Sequence, residues 1–494
     1  MPPNVATVLS PITADSEPEG TRSPWLRSFT EVPREHGFEP LRVEGTLPRE
    51  LAGTMFRNGP GLFSVLGHRY RHWFDGDGLV SAVRFDGGRA EGAVRLVRSR
   101  GLEEEHRRGR AYFGAYGTKA PGPWNPWRAV RFVREGGKNP ANTAVMCWGD
   151  RAFALCEAGR PTEIDPATLE TLGESDLGGA VVRPFSAHPH RVDETGYVYN
   201  FGTRLGRPNA IDLYALRPGG TAGRIGELPL AFPTLIHDFA VTARHLVFFL
   251  APVEIGLYRI LFGRASFADA MQWHPERGTE IVVVPLDAPG SPIRFKTDAF
   301  WAWHTGNAFE RDGEIVVDLV RHADFRDSAG WLGGVMEGAP GGAADGVLHR
   351  VRIDPARKTL RSERLRDRTG EFPRVAPGMD ARSHRFLYQA EHSSPDVARR
   401  GPPDTLLRVD VETGKCDEHR FAAHEAPSEG VFVPRPGASD PDDGWIVTLV
   451  YDAKAHASAW VVLDAQRMND GPIARAWLDH HVPLGFHGTW SPAR

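Results

Sequence analysis

The sequence predicts an all-β protein assembled from short hairpins, and two observations carry that reading. From about Val43 onward, short runs rich in branched and aromatic side chains alternate with tight-turn sequences, and helical periodicity is scarce. The chain also holds 54 glycines and 40 prolines among 494 residues, so it reverses direction often. Residues 79–85, the turn Asp86-Gly87-Gly88 and residues 93–97 form one hairpin signature. Comparable runs recur at 151–155, 196–201, 245–250, 314–319, 347–353, 385–391, 405–410, 445–451 and 459–463. Several strands lead into an aspartate turn, as in Ile164-Asp165-Pro166, Ile353-Asp354-Pro355 and Val409-Asp410-Val411-Glu412-Thr413-Gly414, a pattern suited to outer blade hairpins. Hairpins sustained over this length leave a series of sandwiches or a propeller. A propeller closes radially and protects its edges, and seven blades would take about 66 residues each.

Composition narrows the class. With 41% hydrophobic and 25% charged residues, the chain is neither disordered nor fibrous. A formal net charge of -4 excludes a general polyanion binder, so no nucleic-acid partner is expected, and nothing points to an obligate protein partner. Three cysteines (Cys147, Cys156 and Cys416) cannot form a disulfide framework and have no zinc-site spacing, which fits a reduced, cytoplasmic compartment. Residues 1–30 are rich in Pro, Ser, Thr and Glu without an apolar run, and read as a flexible arm before a single domain over 31–494. Residues 255–271 break the strand pattern and read as helix or irregular apolar loop. They are either a cap over the propeller or a membrane-facing entry patch.

The chemistry rests on histidines in apolar company near predicted strand ends: His188 in Phe185-Ser186-Ala187-His188-Pro189, His237 in Leu235-Ile236-His237-Asp238-Phe239, His304 in Trp303-His304-Thr305, and His487 in Gly485-Phe486-His487-Gly488. Radial repetition could bring them to one axis, although each alone is more simply a structural histidine. Imidazole donors suit zinc, copper, iron and nickel. Ligand histidines usually donate their other N–H to a carboxylate, so the apolar-flanked Glu157, Glu371 and Glu429 are candidate partners; otherwise each caps a turn. There is no dinucleotide fingerprint, phosphate loop or nucleophile elbow. Phe74-Asp75-Gly76-Asp77-Gly78 lacks the remaining ligands of a calcium loop and reads as a tight turn.

Taken in order, the segments Phe56-Arg57-Asn58-Gly59-Pro60, His72-Trp73-Phe74-Asp75-Gly76-Asp77-Gly78, Lys138-Asn139-Pro140-Ala141-Asn142-Thr143, Ala187-His188-Pro189, Ile236-His237-Asp238-Phe239 and Phe486-His487-Gly488 resemble the carotenoid cleavage oxygenase family, also called the retinal pigment epithelium 65-type family. The resemblance runs from about Glu50 to Trp490. It implies a seven-bladed propeller with a capped, iron-bearing axis and one Fe(2+) per chain held by His188, His237, His304 and His487. Glu157, Glu371 and Glu429 would fix the ligand rings, and Thr143 matches a position that limits access to an open coordination site. The implied reaction is cleavage of a conjugated carbon–carbon double bond by dioxygen, giving two carbonyl products.

Residues 112–124 look like the bacterial apocarotenoid-cleaving branch, which implies a lipophilic polyene substrate and a retinal-forming 15,15′ cut. The stilbenoid or phenylpropenoid branch is the alternative, with Tyr116 and Lys138 as candidates to hold a phenol. Pocket candidates are Phe113, Tyr116, Cys156, Leu235, Trp303 and Phe372. Cys156 stands where relatives often carry Trp, and Leu235 and Trp303 where Phe is frequent, so the bond cut is the least transferable expectation. A related isomerase and a non-catalytic binding propeller are the remaining classes. A lipophilic substrate implies peripheral contact with the inner membrane face through apolar side chains of 255–267.

Overall fold

The computed structural model describes residues 23–493 except Ala158, Arg183, Arg207 and Ala343, and omits the side chains of Arg128, Arg131 and Glu135. Its strands make a ring of seven antiparallel blades. Blade 1 runs from Gly488–Pro492 through Gly53–Leu62, Asp77–Asp86 and Arg89–Leu96 to His36–Pro40. Blade 2 holds Ala144–Trp148, Arg151–Leu155, Thr162–Ile164 and Thr171–Glu174; blade 3 spans His190–Val192 to Ala222–Pro229; blade 4 spans Ala240–Val241 to Ile293–Thr297. Blades 5 and 6 share the long strand Thr359–Arg374, whose first part pairs with Val347–Asp354 and whose last part pairs with Phe386–Glu391. Blade 7 runs from Glu425–Pro427 and Val431–Pro434 through Gly444–Asp452 and Ala457–Asp464 to Pro472–Trp477 and Arg42–Gly45.

Local chemistry explains the hairpins. Gly87 and Gly88 take φ of 55° and 82°, the two positive values that a tight hairpin turn needs, and Asp86 pairs with Arg89 across it. The aspartate turns close as expected: Asp165 Oδ1 accepts the backbone N–H of Ala167 and Thr168, and Asp410 Oδ1 those of Glu412 and Thr413. Central strands are buried on both faces because blades stack face to face. Gly444–Asp452 is buried along almost its whole length. The apolar core is accordingly a series of layers between neighbouring blades. Val80, Ala82, Val145 and Ala154 fill the space between blades 1 and 2, and Phe201, Leu213, Phe239 and Phe248 that between blades 3 and 4.

Both chain ends close the ring. The C-terminal strand Gly488–Pro492 pairs with Gly53–Leu62, while Arg42–Gly45 completes blade 7 from the N-terminal side. The buried Arg57 guanidinium joins these parts, donating to the carbonyls of Phe486 (2.7 Å) and Glu429.

Two expectations need correction. Of the flexible arm expected over 1–30, residues 1–22 lie outside the described residues, but Pro24–Phe29 is a packed 3-10 helix. Trp25 and Phe29 are buried against Phe63, Trp73 and Trp331, so apolar burial packs Pro24–Phe29 onto the domain. The Asp75-Asp77 segment is also more than a turn. Asp75 receives the Gly117 N–H and the Thr118 hydroxyl, and Asp77 lies within 2.6 Å of the Lys138 ammonium, all of them buried or nearly so. Helices at Arg100–Arg108, Pro126–Glu135, Leu257–Leu261 and Phe325–Gly334 arise in the connections, and residues from all four line one cavity.

Replacing Arg57 by Leu should remove both carbonyl partners at once. At about 1–3 kcal/mol for each buried group left unsatisfied, the denaturant midpoint should fall by an amount equivalent to about 2–6 kcal/mol. A wild-type midpoint would show that the closure does not depend on this guanidinium.

Candidate metal centre

The four histidines each sit just before the edge strand that starts a blade. His188 precedes His190–Val192, His237 precedes Ala240–Val241, His304 precedes Thr305–Arg311, and His487 precedes Gly488–Pro492. These are the axial strands of blades 3, 4, 5 and 1. Thr143 and Glu429 stand just before the corresponding strands Ala144–Trp148 of blade 2 and Val431–Pro434 of blade 7, while Glu371 lies inside the shared strand Thr359–Arg374, near the start of its blade 6 part. Seven blades thus send seven of the candidate residues to one axis, and Glu157 enters beside them from the end of the strand Arg151–Leu155.

One potential ligand atom from each histidine lies within 4.8 Å of those from the other three, so the cluster could hold a metal ion. His237 Nε2 is 3.3 Å from His304 Nε2, and His188 Nε2 is buried without a hydrogen-bond partner. Three imidazoles are oriented from behind. Glu157 Oε1 lies 2.7 Å from His237 Nδ1, Glu371 Oε2 2.8 Å from His304 Nδ1, and Glu429 Oε1 3.2 Å from His487 Nδ1. Where Nδ1–H is donated to the carboxylate, as at His304 and His487, Nε2 keeps its lone pair for a cation, while Glu157 and His237 are in close contact without a well-aligned hydrogen bond. Burial and the neighbouring imidazoles hold the His188 pKa well below its ordinary value, and burial pulls His487 down to about 4. Four convergent imidazoles, one with an orphaned, buried nitrogen, fit a soft-to-borderline divalent cation, iron(II) included.

Several residues that sequence reasoning missed complete the centre. Asp238, next to His237, ties three blades together: Oδ1 lies 2.8 Å from His190 Nε2, and Oδ2 accepts the Thr305 N–H (2.7 Å) and hydroxyl (2.9 Å). Arg374 Nη1 sits 3.1 Å from Glu429 Oε2, whose oxygen also accepts the Gly488 N–H at 2.7 Å. Burial alone would raise the Glu429 pKa, but Arg374 and His487 outweigh it and hold the group firmly ionised. Glu371 is held at about 2 against burial by His304 and His322. The Asp238 signal was present in the sequence, inside Ile236-His237-Asp238-Phe239. Arg374 and His322 lie far from the ligands in sequence, and nothing local marks them.

The cluster faces a cavity of about 1240 Å³. All six pocket candidates, Phe113, Tyr116, Cys156, Leu235, Trp303 and Phe372, line it, as does Thr143. Trp303 packs edge-on against His237 at 4.8 Å, and its indole N–H donates to Ser328. Phe372, at φ 61°, packs against His304 and His487 at 5.2 and 5.3 Å. Thr143 turns its hydroxyl to Asn142 Oδ1, and its carbonyl accepts the His487 N–H. The Tyr116 and Lys138 pair does not form a phenol clamp. The three ammonium protons of Lys138 are spent on Tyr70 (2.5 Å), Asp77 and Glu105 (2.7 Å).

A propeller whose axis carries four converging imidazoles beneath an apolar cavity has the build of a metal-dependent enzyme of lipophilic substrates. The chain belongs to the family described as retinal pigment epithelial membrane protein (RPE65), whose family model matches residues 29–492. It is 35% identical over 506 residues to the apocarotenoid-15,15′-oxygenase of Synechocystis sp., covering 97% of this chain and 99% of that protein. Similarity extends to the isoeugenol monooxygenase of Pseudomonas putida, at 28% identity over 91% of this chain and 94% of that one. The structure of cobalt-substituted Synechocystis ACO matches with a TM-score of 0.84 at 33% identity, over 96% of this chain and 100% of that chain.

The unequal surroundings of the glutamates give a test. Glu157→Gln and Glu429→Gln should each weaken cobalt(II) binding by about 10–100-fold, the usual cost of disturbing a carboxylate behind a ligand histidine. Only Glu429→Gln should also lower the thermal midpoint of the metal-free protein, because it removes the buried counter-charge of Arg374. Equal melting of the two variants would contradict this division.

Proposed function

We propose that this chain is a non-haem iron(II) dioxygenase that cleaves a conjugated double bond of an apocarotenoid, giving two carbonyl products, with 15,15′ cleavage to retinal as its reaction. The observation that carries the reading is the convergence of His188, His237, His304 and His487, the last three of which line a 1240 Å³ cavity rich in aromatic side chains. The similarity to an apocarotenoid-15,15′-oxygenase over nearly the whole chain supports the substrate and the bond.

In this reading the four histidines hold the iron, and Glu157, Glu371 and Glu429 fix the ring orientation of three of them. Iron(II), when bound, would supply the one-electron chemistry that dioxygen requires. Both oxygen atoms enter the two products, so the reaction balances without a reducing cosubstrate. Phe113, Tyr116, Leu235, Trp303 and Phe372 position a rigid polyene and keep water from the reacting bond. Thr143 narrows the approach beside His487. The commitment of all three Lys138 protons favours a polyene over a phenol that must be gripped by its hydroxyl.

The cavity mouth suits delivery from a lipid surface. Trp127 and Val133 are 78% and 75% exposed, and Tyr258 and Phe262 stand out on the facing helix and its end. Trp124 bridges the two sides, packing on the Phe262 ring at 5.6 Å and donating its indole N–H to the Leu261 carbonyl. No helix among the described residues is long and apolar enough to cross a membrane, so the proposed contact is peripheral.

Mass spectrometry of products from the iron(II)-loaded protein, given an all-trans apocarotenal under ¹⁸O₂, tests the reaction. Retinal and a shorter dialdehyde, each carrying label, are expected. Label-bearing aldehydes from a different bond would correct the 15,15′ assignment and point to Cys156 and Trp303. Cleavage of isoeugenol or resveratrol but not of the apocarotenal would overturn the substrate class.

Liposome co-sedimentation tests the surface. Changing Trp127 and Phe262 together to Ser should reduce pelleting by about tenfold, as expected when two large apolar side chains leave a bilayer interface. Pelleting equal to wild type would remove the proposed membrane contact.

A further inference from the structure

His322 follows the blade 5 strand Glu314–Arg321 and is held by reciprocal backbone hydrogen bonds with Trp301, at 3.0 and 2.8 Å. Its ring is almost wholly buried, and both nitrogens meet carboxylates. Nδ1 lies 2.8 Å from Asp345 Oδ1, and Nε2 lies 2.8 Å from Glu371 Oε1. An ionised carboxylate can only accept, so both ring nitrogens must donate and the ring is an imidazolium. Space for it is built in: a Cβ at Gly346 would stand 2.5 Å from His322 Cε1. The second oxygen of Glu371 accepts the Nδ1–H of His304. Asp345, His322, Glu371 and His304 therefore form one continuous chain of charge-assisted hydrogen bonds leading out of the four-histidine cluster.

We infer that His322 and Asp345 are positioning residues for the metal centre, acting through Glu371 to orient His304 and to draw negative charge away from the carboxylate behind it. The inference rests on the four histidines being a metal site. Glu371 Oε1 is anchored by His322 much as Glu429 Oε2 is anchored by Arg374. Among the described residues, Glu157 has no such cation outside the cluster. Two of the three backing carboxylates are thus partly neutralised and fixed in rotamer, while the third faces imidazoles alone. Without His322, the Glu371 carboxylate loses the donor on Oε1 and is free to turn away from His304.

The test uses cobalt(II) as probe, with affinity measured by chelator competition and the visible ligand-field spectrum recorded for wild type, His322→Phe, His322→Gln and Asp345→Asn. His322→Phe should bind cobalt(II) about 10–100-fold more weakly with an altered spectrum, the range seen when the partner of a metal-bound histidine is disturbed. His322→Gln keeps one N–H for Glu371 and should recover most of the affinity and the wild-type spectrum. Asp345→Asn should fall between them. If His322→Phe does not fold, the ordering of Gln and Asn against wild type decides. Wild-type affinity and spectrum in every folded variant would overturn the inference. Failure of the wild type itself to bind cobalt(II) would overturn the metal-site reading instead.

Discussion

The constraint on which the rest of this structure depends is radial convergence. Seven blades start from one axis, and a residue at or near the start of each axial strand has nowhere to place its side chain except among its counterparts. Four of those positions carry imidazole, two carry carboxylate and one carries threonine. No two of the histidines are near in sequence, and no local motif could assemble them. The apolar layers between blades supply the rigidity, because a ring of face-packed sheets cannot shift one blade without disturbing both neighbours. Arg57 and Asp238 translate that rigidity to the axis. The first holds the backbone at Glu429 and Phe486, and the second binds the starts of blades 3, 4 and 5 to one another.

Such a centre is electrostatically demanding before any metal enters. Three carboxylates surround four imidazoles in a site shielded from solvent, and uncompensated charge there would be costly. The protein meets this with cations placed one layer farther out. Arg374 faces Glu429, and His322 faces Glu371. The same solution appears under the cap, where Lys138 is enclosed by Asp77, Glu105 and Tyr70. Glu105 uses its other oxygen to hold the backbone N–H groups of Tyr112 and Phe113, so this buried charge also fixes the segment that presents Phe113 to the cavity.

Much of the fold was legible because strand signals are local. The runs at 151–155, 245–250 and 405–410 coincide with strands Arg151–Leu155, His245–Leu250 and Thr405–Asp410, and the aspartate turns close through the hydrogen bonds that their side chains invite. The helices Arg100–Arg108 and Pro126–Glu135 were not legible. They are short insertions in strand connections, and the first depends on caps at Ser99 and Gly109 rather than on a long apolar stripe. The histidines were visible as candidates, but their union at one point depends on blade geometry that only the family resemblance supplied. His322, Arg374 and Asp345 stayed hidden for the same physical reason: each contacts a partner 23 or more positions away, and a lone histidine, arginine or aspartate in a strand-rich chain looks the same whether it faces water or a buried charged group.

The cavity joins two environments that favour opposite chemistry. On one side, helices Pro126–Glu135 and Leu257–Leu261 line it and carry the exposed Trp127, Val133 and Tyr258; on the other lies the largely buried polar cluster, whose hydrogen bonds are strongest away from bulk water. Trp303 stands at the boundary. One face of its surroundings is the aromatic wall formed with Trp301 and Phe325, and the other is the His237 ring. Its indole N–H is satisfied by Ser328, so the ring is held rather than free to follow a ligand. A boundary made of anchored aromatic rings admits a flat, rigid, apolar molecule and resists a bulky or strongly hydrated one. The proposed function would therefore place substrate selection in the shape of that wall, which Cys156, Leu235 and Trp303 line, rather than in the donor cluster beneath it.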